Sequence, residues 1–416
     1  MLSILANRIY RHLFAAQVIA LIGTGLMTVA LGLLAFEIAG DRAGAVLGTA
    51  LAIKMIAYVG IAPIAGSLAG HVPRRSFLVT MDLIRASVAI ALPFATQVWQ
   101  IYLLIFLLQA ASAAFTPTFQ ATVPDVLPDE GDYTRALSLS RLAYDLENLL
   151  SPALAAALLT VISFNALFAG TVIGFLFSAL LVLSVQLPSL ESTAASVGQS
   201  FRNKIARGIR IYLATPRLRG LLALNLSVAA AGAMVIVNTV VLVRGVLGRP
   251  DGDVAIALAC FGGGSMFAAL LLPSMLDRLP DRAVMISAAG LLIAQLVILS
   301  AILRGNAPQS LWLLLLGLWA LMGAGYSAVQ TPTGRLLRRS ADTSDRPAVF
   351  AAQFALSHAC WLLTYPLAGW LGETAGLSFT ALVLAVVTLV GVTGASLMWP
   401  ANEPEVIENN HPDVTL

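Results

Sequence analysis

One long apolar stretch, near residues 136 to 159, carries an unusual set of ionisable residues. Arg141 and Asp145 are spaced i and i+4, with Asn148 at i+7, so all three share one helical face and the first two can form an ion pair. Glu147 lies about 200° round the helix from Asp145 at 100° per residue. A buried carboxylate without a permanent cationic partner can gain and lose a proton. The pattern favours Glu147 as a proton carrier over Asp145, unless neighbouring polar groups give both acids structural roles.

Three further charged residues lie in apolar stretches. Asp82 and Arg85 are spaced i and i+3, which predicts a local salt bridge with a structural or gating role. Lys54 lies in the middle of its stretch, where lysine is disfavoured by roughly 3 kcal/mol. It could attract an anionic substrate, pair with an acid such as Glu37, or extend toward the surface.

His358 and Cys360 suggest a site for a soft metal. Two residues apart on a helix, however, their side chains diverge by about 200° and cannot readily share one ion. A divalent cation could be held by His358 with Asp145 and Glu147 only if their helices converge. His358 is therefore a weak metal candidate, and a structural group or proton relay is the better interpretation.

No motif for nucleotide or covalent chemistry is present. The sequence contains no GxxxxGK[ST] loop, no HExxH and no GxSxG, and its polar residues do not form a nucleophile, base and oxyanion set. We therefore expect neither an enzyme nor a cofactor, and no direct use of ATP.

Composition places these residues in a membrane. Of 416 residues, 59% are hydrophobic and only 11% are charged, with a mean hydropathy of +0.88. So much apolar surface excludes an ordinary soluble protein and must face lipid. The net charge of +3 does not suggest nucleic acid as a partner. With roughly 20 residues per span, twelve spans would use about 240 residues.

Long apolar runs bounded by charged or turn residues number twelve, in two sets of six. The first set lies near residues 13–37, 46–69, 77–95, 98–119, 136–159 and 165–187. The second set lies near residues 218–244, 254–275, 283–303, 310–332, 348–371 and 376–399. The pattern predicts an all-α membrane protein.

Arg and Lys between the spans are distributed unevenly. One side, named here the basic face, receives seventeen, and the opposite face receives only four, which are Arg42, Arg244, Arg249 and Arg304. Basic loops remain in the cytoplasm. We therefore expect a multi-pass protein of the bacterial inner membrane with both termini in the cytoplasm.

An internal repeat relates the two sets of spans. GSLAGHVPRR after the second span aligns with PSMLDRLPDR after the eighth, FTPT with QTPT, and Pro152 with Pro366, all at nearly one offset. The repeat predicts two six-helix halves, residues 1–187 and 217–399. A cytoplasmic linker, 188–216, would join them, and a polar tail, 400–416, would follow.

The linker changes from polar to basic and amphipathic. Phe201, Ile205, Ile209 and Tyr212 recur at helical spacing among arginines and one lysine. Such a helix could lie on an anionic leaflet, and a solvated basic loop is the alternative. The composition of the tail is typical of disorder.

This organisation resembles the major facilitator superfamily, whose loop motif lies between spans two and three. Gly66, Leu68, Ala69, Arg74 and Arg75 match that motif, while Gly70, His71 and Pro73 depart from it. The copy in the second half keeps Asp277 and Arg278. The resemblance implies a cytoplasmic gate formed by Gly66, His71, Arg74, Arg75, Asp82, Arg85, Asp277 and Arg278, although losing the first-half Asp weakens that expectation.

Two longer stretches resemble particular branches. TPTFQATVPDVLPDEGDYTRALSLSRLAYDLENLLSPALAAALL is similar to siderophore and macrolide exporters, and SRLAYDLENLLSP with QFALSHACWLLTYPLAGWLG is similar to nickel-resistance exporters. In the superfamily, spans one, four, seven and ten line the central cavity. The resemblance thus implies substrate contacts at the polar residues Gln17, Gln109, Asn225, Asn238 and Tyr326, to which we add Lys54.

These observations predict a secondary active exporter. We expect proton antiport of a small toxic solute, with alternating access between the halves, by a protein that acts as a monomer. Export of nickel or another divalent metal, free or chelated, is the alternative. A channel or membrane sensor fits less well, because neither needs a duplicated rocking pair.

Overall fold

A computed structural model describes residues 2–68, 72–187, 201–276, 278–305, 311–342 and 345–401. Every regular element in these ranges is helical. The first half, named the N-half, contains α1 (Arg8–Ala39), α2 (Ala43–Leu68), α3 (Arg74–Ala91), α4 (Val98–Val126), α5 (Glu130–Leu158) and α6 (Phe164–Leu183). After α7 (Phe201–Ala214), the second half, named the C-half, contains α8 (Pro216–Val240), α9 (Asp251–Leu276), α10 (Asp281–Arg304), α11 (Leu311–Gln330), α12 (Thr333–Arg339), α13 (Arg346–Thr374) and α14 (Leu377–Met398).

The twelve long helices match the twelve apolar runs with ends that differ by at most seven residues, which confirms the predicted fold class. Within the described ranges, ten segments are long and apolar enough to cross a membrane, and the first of them contains α1 and, as far as Ile61, α2. Helix α5 is as long but is more polar because it carries Arg141, Asp145 and Glu147. In lipid, a helix satisfies its own backbone hydrogen bonds, so long apolar runs adopt this structure.

Local signals set the helix ends. The Asn7 side chain accepts hydrogen bonds from the amides of Ile9 and Tyr10 at 3.0 and 3.1 Å and begins α1. Gly40, with φ of 55°, ends α1. Pro216 occupies the first turn of α8, where its missing N–H has no cost.

Each half packs its own helices, and two helix pairs make the most extensive contacts between the halves. Helices α1, α5 and α6 pack together in the N-half, as α8, α10 and α14 do in the C-half. Helix α2 packs against α13, and α5 packs against α9. These two pairs are therefore the main contacts that a movement of one half against the other must change.

Small residues bring α2 and α13 close together. A Cβ atom added at Gly48 would lie 2.5 Å from the carbonyl oxygen of Tyr365, and one added at Gly369 would collide with the carbonyl of Gly44. Close backbone approach at small residues is typical of helix packing in membranes. These contacts lie at the opposite face, where the α2–α13 interface is tightest.

Helix α7, within the predicted linker, packs against α13. Arg207 forms an ion pair with Asp345 at 2.9 Å, and the buried Tyr212 hydroxyl donates a hydrogen bond to Gln353 Oε1. Gly208 touches the backbone of Ala348 with no room for a side chain. Burial raises the pKa of the Tyr212 hydroxyl. The side of α7 that contains Tyr212 therefore faces protein, in contrast to both sequence-based alternatives, a lipid-bound helix and a solvated loop.

Candidate functional site

Glu147 lies where α5 packs against α1. One turn further along α5, Ser151 touches Gly25 so closely that a Cβ atom at Gly25 would collide with it. The same hypothetical Cβ atom would lie 3.5 Å from Cγ of Glu147. The missing side chain at Gly25 therefore makes room for Ser151, and Glu147 lies within van der Waals distance of the same position of α1.

Lys54, on α2, is the charged partner that acts on Glu147. The two side chains attract each other electrostatically. Glu37, the acid named from the sequence, is exposed near the end of α1. Lys54 also acts on His358 of α13, so it faces both an acid of its own half and an imidazole of the other. The two halves thus meet around one lysine.

An aromatic cluster surrounds His358. Its ring lies 3.9 Å from the Phe354 ring and stacks on Tyr58 of α2 at 5.9 Å, measured between ring centroids. Nδ1 of His358 lies 2.7 Å from the Phe354 carbonyl oxygen. Since a carbonyl only accepts, Nδ1 carries the proton, and in the neutral ring Nε2 is left as an acceptor.

The C-half contributes a second aromatic group. Phe261 and Tyr326 meet edge to face with centroids 5.6 Å apart, and Trp361 lies 4.9 Å from Tyr365. Because Tyr365 borders Gly48 of α2, this aromatic group adjoins the N-half.

Gln17 and Asn225, which were predicted to line a cavity, have side-chain partners on other helices. Gln17 accepts a hydrogen bond from Ser140 at 3.0 Å, joining α1 to α5. Asn225 accepts one from Gln330 at 3.3 Å, joining α8 to α11. Gln109 is buried in α4. Their contact with substrate remains a prediction.

Asn238 lies further toward the opposite face. Its side chain donates to the Ala368 carbonyl at 3.1 Å. Cβ atoms added at Gly44 or Gly372 would approach its Oδ1 to 2.9 and 3.0 Å. Asn238 thus contributes to the packing that closes this face.

Asp82 and Arg85 form the local ion pair expected from their spacing, buried between α3, α4 and α6. Ser178 donates a hydrogen bond to Asp82 at 2.8 Å. The Arg85 guanidinium lies 4.2 Å from the Phe115 ring centroid and 4.5 Å from that of Phe175. The pair is enclosed within the N-half, and its predicted gating role remains a prediction.

The loop motif has an ionic partner that sequence reasoning missed. Arg74 pairs with Asp125 at the end of α4, and Arg75 donates to the Leu183 carbonyl. Asp125 thus supplies an acid near the loop motif, in which Gly70 replaces the usual Asp. The repeat, combined with an acid at the end of span four, was a signal that could have identified it.

The C-half carries the corresponding ion pair with its charges exchanged. Asp281, which begins α10, pairs with Arg335 and lies 3.6 Å from Arg339 at the end of α12. In the N-half the cation, Arg74, begins α3, and in the C-half the acid, Asp281, begins α10. The charges reinforce helix-end contacts at the basic face of each half.

The remaining predicted residues give less information. Gly66 lies near the end of α2, and Arg278 is exposed in the turn before α10. His71 and Asp277, and the side chains of Arg141 and Asp145, fall outside what the structure describes. Among the described residues, no three His, Cys, Asp or Glu side chains are grouped so as to hold a metal ion.

Together these groups combine an ionisable pair in one half with aromatic surfaces in the other. A carboxylate beside an ammonium can bind or release a proton as its surroundings change. Aromatic rings offer large apolar contact areas for the rings of a solute. The arrangement places an ionisable pair and aromatic rings where the two halves meet, and the described side chains form no catalytic set.

Comparison with curated proteins identifies transporters as relatives. Macrolide efflux protein A of Streptococcus pyogenes is 23% identical over 327 residues, covering 77% of this chain and 79% of the relative. Its namesake in Enterococcus faecalis is 24% identical over 298 residues, covering 68% and 90%. The uncharacterized MFS-type transporter YfiS of Bacillus subtilis is 23% identical over 393 residues, covering 91% and 92%.

Solved structures show the same fold. The nucleoside transporter NupG aligns with a TM-score of 0.71 at 13% identity, covering 94% of this chain and 98% of that one. A D-xylose-proton symporter aligns with a TM-score of 0.67 at 14% identity, covering 95% and 96%. The family model of the Major Facilitator Superfamily matches residues 13–250 and 222–414. These matches confirm the resemblance seen in the sequence, and the chain is a membrane transporter that belongs to the Major Facilitator Superfamily.

Proposed function

We propose that the chain is a proton-coupled exporter of amphipathic organic solutes, with Glu147 as the proton carrier. The observation that carries this proposal is the position of Glu147, inside the N-half at Gly25 and within electrostatic reach of Lys54. A carboxyl group there can alternate between a charged state balanced by Lys54 and a neutral protonated state. Proton-driven transport needs a group with two such states.

The choice of solute rests on the aromatic surfaces and on the relatives. Phe261, Tyr326 and Trp361 are half-buried and provide ring faces that suit a bulky apolar molecule, whereas Tyr365 is buried behind Trp361. The curated efflux relatives are named for macrolides. A macrolide antibiotic is therefore the first substrate to test. No described residue cluster favours the nickel alternative.

Transport direction follows from the proposed orientation. The basic face lies in the cytoplasm of an inner-membrane protein, with both termini on that side, and residues 1–187 and 217–399 act as the two rocking halves. A proton reaches Glu147 from the opposite face and leaves toward the basic face while the solute moves outward. Reporter fusions at positions 43 and 305 should report the outer side, and fusions at 200 and 410 the cytoplasm.

The test is a flux measurement in everted membrane vesicles that contain the full chain. With an inward-acid gradient established, adding a macrolide should release protons from the vesicle lumen and load the vesicles with drug, both in a saturable manner. Collapse of the gradient should stop drug uptake. Drug uptake that is unchanged without a gradient would contradict proton coupling, and absence of uptake for macrolides and other amphipathic drugs would contradict the solute class.

A further inference from the structure

The aromatic cluster around His358, on α13 of the C-half, gives Lys54 a second partner besides Glu147. We propose that Lys54 transmits the charge state of Glu147 to the C-half, by pairing with Glu147 when that acid is charged and turning to His358 when it is neutral. This inference rests on the proposed role of Glu147. It assigns Lys54 and His358 as positioning residues that link proton binding to movement of the halves.

The register of α2 against α13 places Lys54 opposite His358. The helices run antiparallel, since Gly44 meets Gly369, Gly48 meets Tyr365 and Tyr58 meets Phe354. Each step along α2 is matched by an equal step back along α13. Lys54 therefore lies opposite residues 358 and 359, and one turn from Tyr58 on the same helical face.

The chemistry of His358 suits an ammonium group. Nδ1 is engaged with the Phe354 carbonyl at 2.7 Å, so Nε2 of the neutral ring can accept a hydrogen bond from Lys54. Tyr58 stacks on the same imidazole, Phe354 packs against it at a tilt, and both rings offer a cation an aromatic face. The cluster can thus hold the ammonium without itself carrying charge.

The charges around Lys54 are few. In the described part of the chain, Glu147 of α5 and His358 of α13 are the charged or titratable groups that act on it, with the Tyr58 phenol one turn away. Helices α1, α4 and α8 also pack against α2 and add no charge to this set. The side chains of Arg141 and Asp145 lie outside the described residues.

A proton on Glu147 removes the partner of Lys54 within the N-half. An unpaired ammonium in a membrane interior is costly, so the Lys54 side chain gains by turning to Nε2 of His358 and the adjacent rings. That contact draws α2 and α13 together at their middle. Loss of the proton returns Lys54 to Glu147 and breaks its contact with α13. The contact between the two halves therefore depends on whether Glu147 is protonated, which couples the titration of Glu147 to their movement.

The experiment measures the distance between the halves as pH changes. Spin labels at Arg135→Cys and Arg338→Cys, both exposed at the basic face, are placed in a Cys260→Ser, Cys360→Ser background of the full chain in lipid. The distance distribution should shift with pH in this reference protein. It should stay fixed in Lys54→Met and in His358→Phe, and Lys54→Arg should keep the shift.

Two outcomes separate this inference from the proposed function. If Glu147→Gln abolishes the pH-dependent shift while Lys54→Met keeps it, the inference about Lys54 is overturned and Glu147 remains the carrier. If Glu147→Gln itself keeps the shift, the proposed function fails. His358→Phe retains the ring and removes the acceptor, so it provides the same test should Lys54→Met fold poorly.

Discussion

Nε of Arg42 lies 2.6 Å from Oε1 of Glu373, and this ion pair joins the N-half to the C-half at the opposite face. Thr49 accepts a hydrogen bond from the Trp370 indole at 3.1 Å beside it. Two surface hollows, of about 550 and 400 Å³, share Arg42 and Glu373 in their walls. The ion pair therefore borders both hollows at the face where the two halves meet.

Neutralising Arg42 should favour opening at the opposite face. Arg42 is 73% exposed and Glu373 29% exposed, so the pair contributes only about 0.2–1 kcal/mol. We expect Arg42→Gln to raise the labelling rate of Thr49→Cys by an impermeant maleimide about 1.4- to 5-fold, the equivalent of that energy. The background again lacks Cys260 and Cys360.

The charge exchange provides the control. Arg42→Glu with Glu373→Arg restores an ion pair of reversed polarity and should return labelling to the reference rate. If the exchanged pair labels as fast as Arg42→Gln alone, the ion pair has no part in closure.

The glycine contacts between α2 and α13 should be intolerant of added volume. A Cβ atom at Gly48 would press on the Tyr365 carbonyl, whereas at Gly60 of the same helix nothing lies within 4 Å. We expect Gly48→Ala to lower the Tm in detergent and slow transport, because the halves can no longer approach. Gly60→Ala is the matched control and should preserve both. Equal behaviour of the two variants would contradict the described interface.

Breaking the buried pair of Asp82 and Arg85 should impair folding. Removing one partner leaves an uncompensated charge, at a cost of about 3–5 kcal/mol. We expect Asp82→Asn to reduce folded yield sharply in size-exclusion chromatography. The double variant Asp82→Leu, Arg85→Met, which buries no charge, should recover much of it. A normal yield from Asp82→Asn alone would show that Arg85 needs no anionic partner.

Docking of α7 should weaken in alkali. The raised pKa of Tyr212 means that the docked state favours the protonated hydroxyl. Its contribution is therefore complete below the normal tyrosine pKa of about 10 and is lost as pH rises toward the raised value, since a phenolate cannot donate to Gln353. Proteolysis of the linker should accelerate above a pH of about 10. The substitution Tyr212→Phe should reduce this acceleration. Arg210→Gln, which changes an exposed residue of the same helix, should retain it.

The sequence predicted those features that depend on local pattern. Twelve spans follow from the lengths of apolar runs, because each helix in lipid satisfies its own backbone. The Asp82–Arg85 pair follows from an i, i+3 spacing that any helix brings together. Family membership followed from the repeat and the loop motif.

Contacts between distant helices could not be predicted in the same way. Lys54 acts on Glu147 rather than Glu37 because of how α2 and α5 are placed in the N-half, which no spacing reveals. Asp125 meets Arg74 for the same reason. The docking of α7 depends on Gly208, because a side chain there would collide with the backbone of Ala348. The sequence does not show that these two residues meet.

The central claim is that Glu147 carries the coupled proton, and its most direct test is the pH dependence of macrolide export by Glu147→Gln. Glutamine mimics the protonated acid in shape and cannot cycle its charge. We predict that proteoliposomes with this variant bind drug, lose active export against a gradient and show no pH dependence. Glu37→Gln, at an exposed carboxylate, should behave like the unmodified chain. Proton-driven export by Glu147→Gln with unchanged pH dependence, together with its loss in Asp145→Asn, would contradict the account and assign the proton to Asp145.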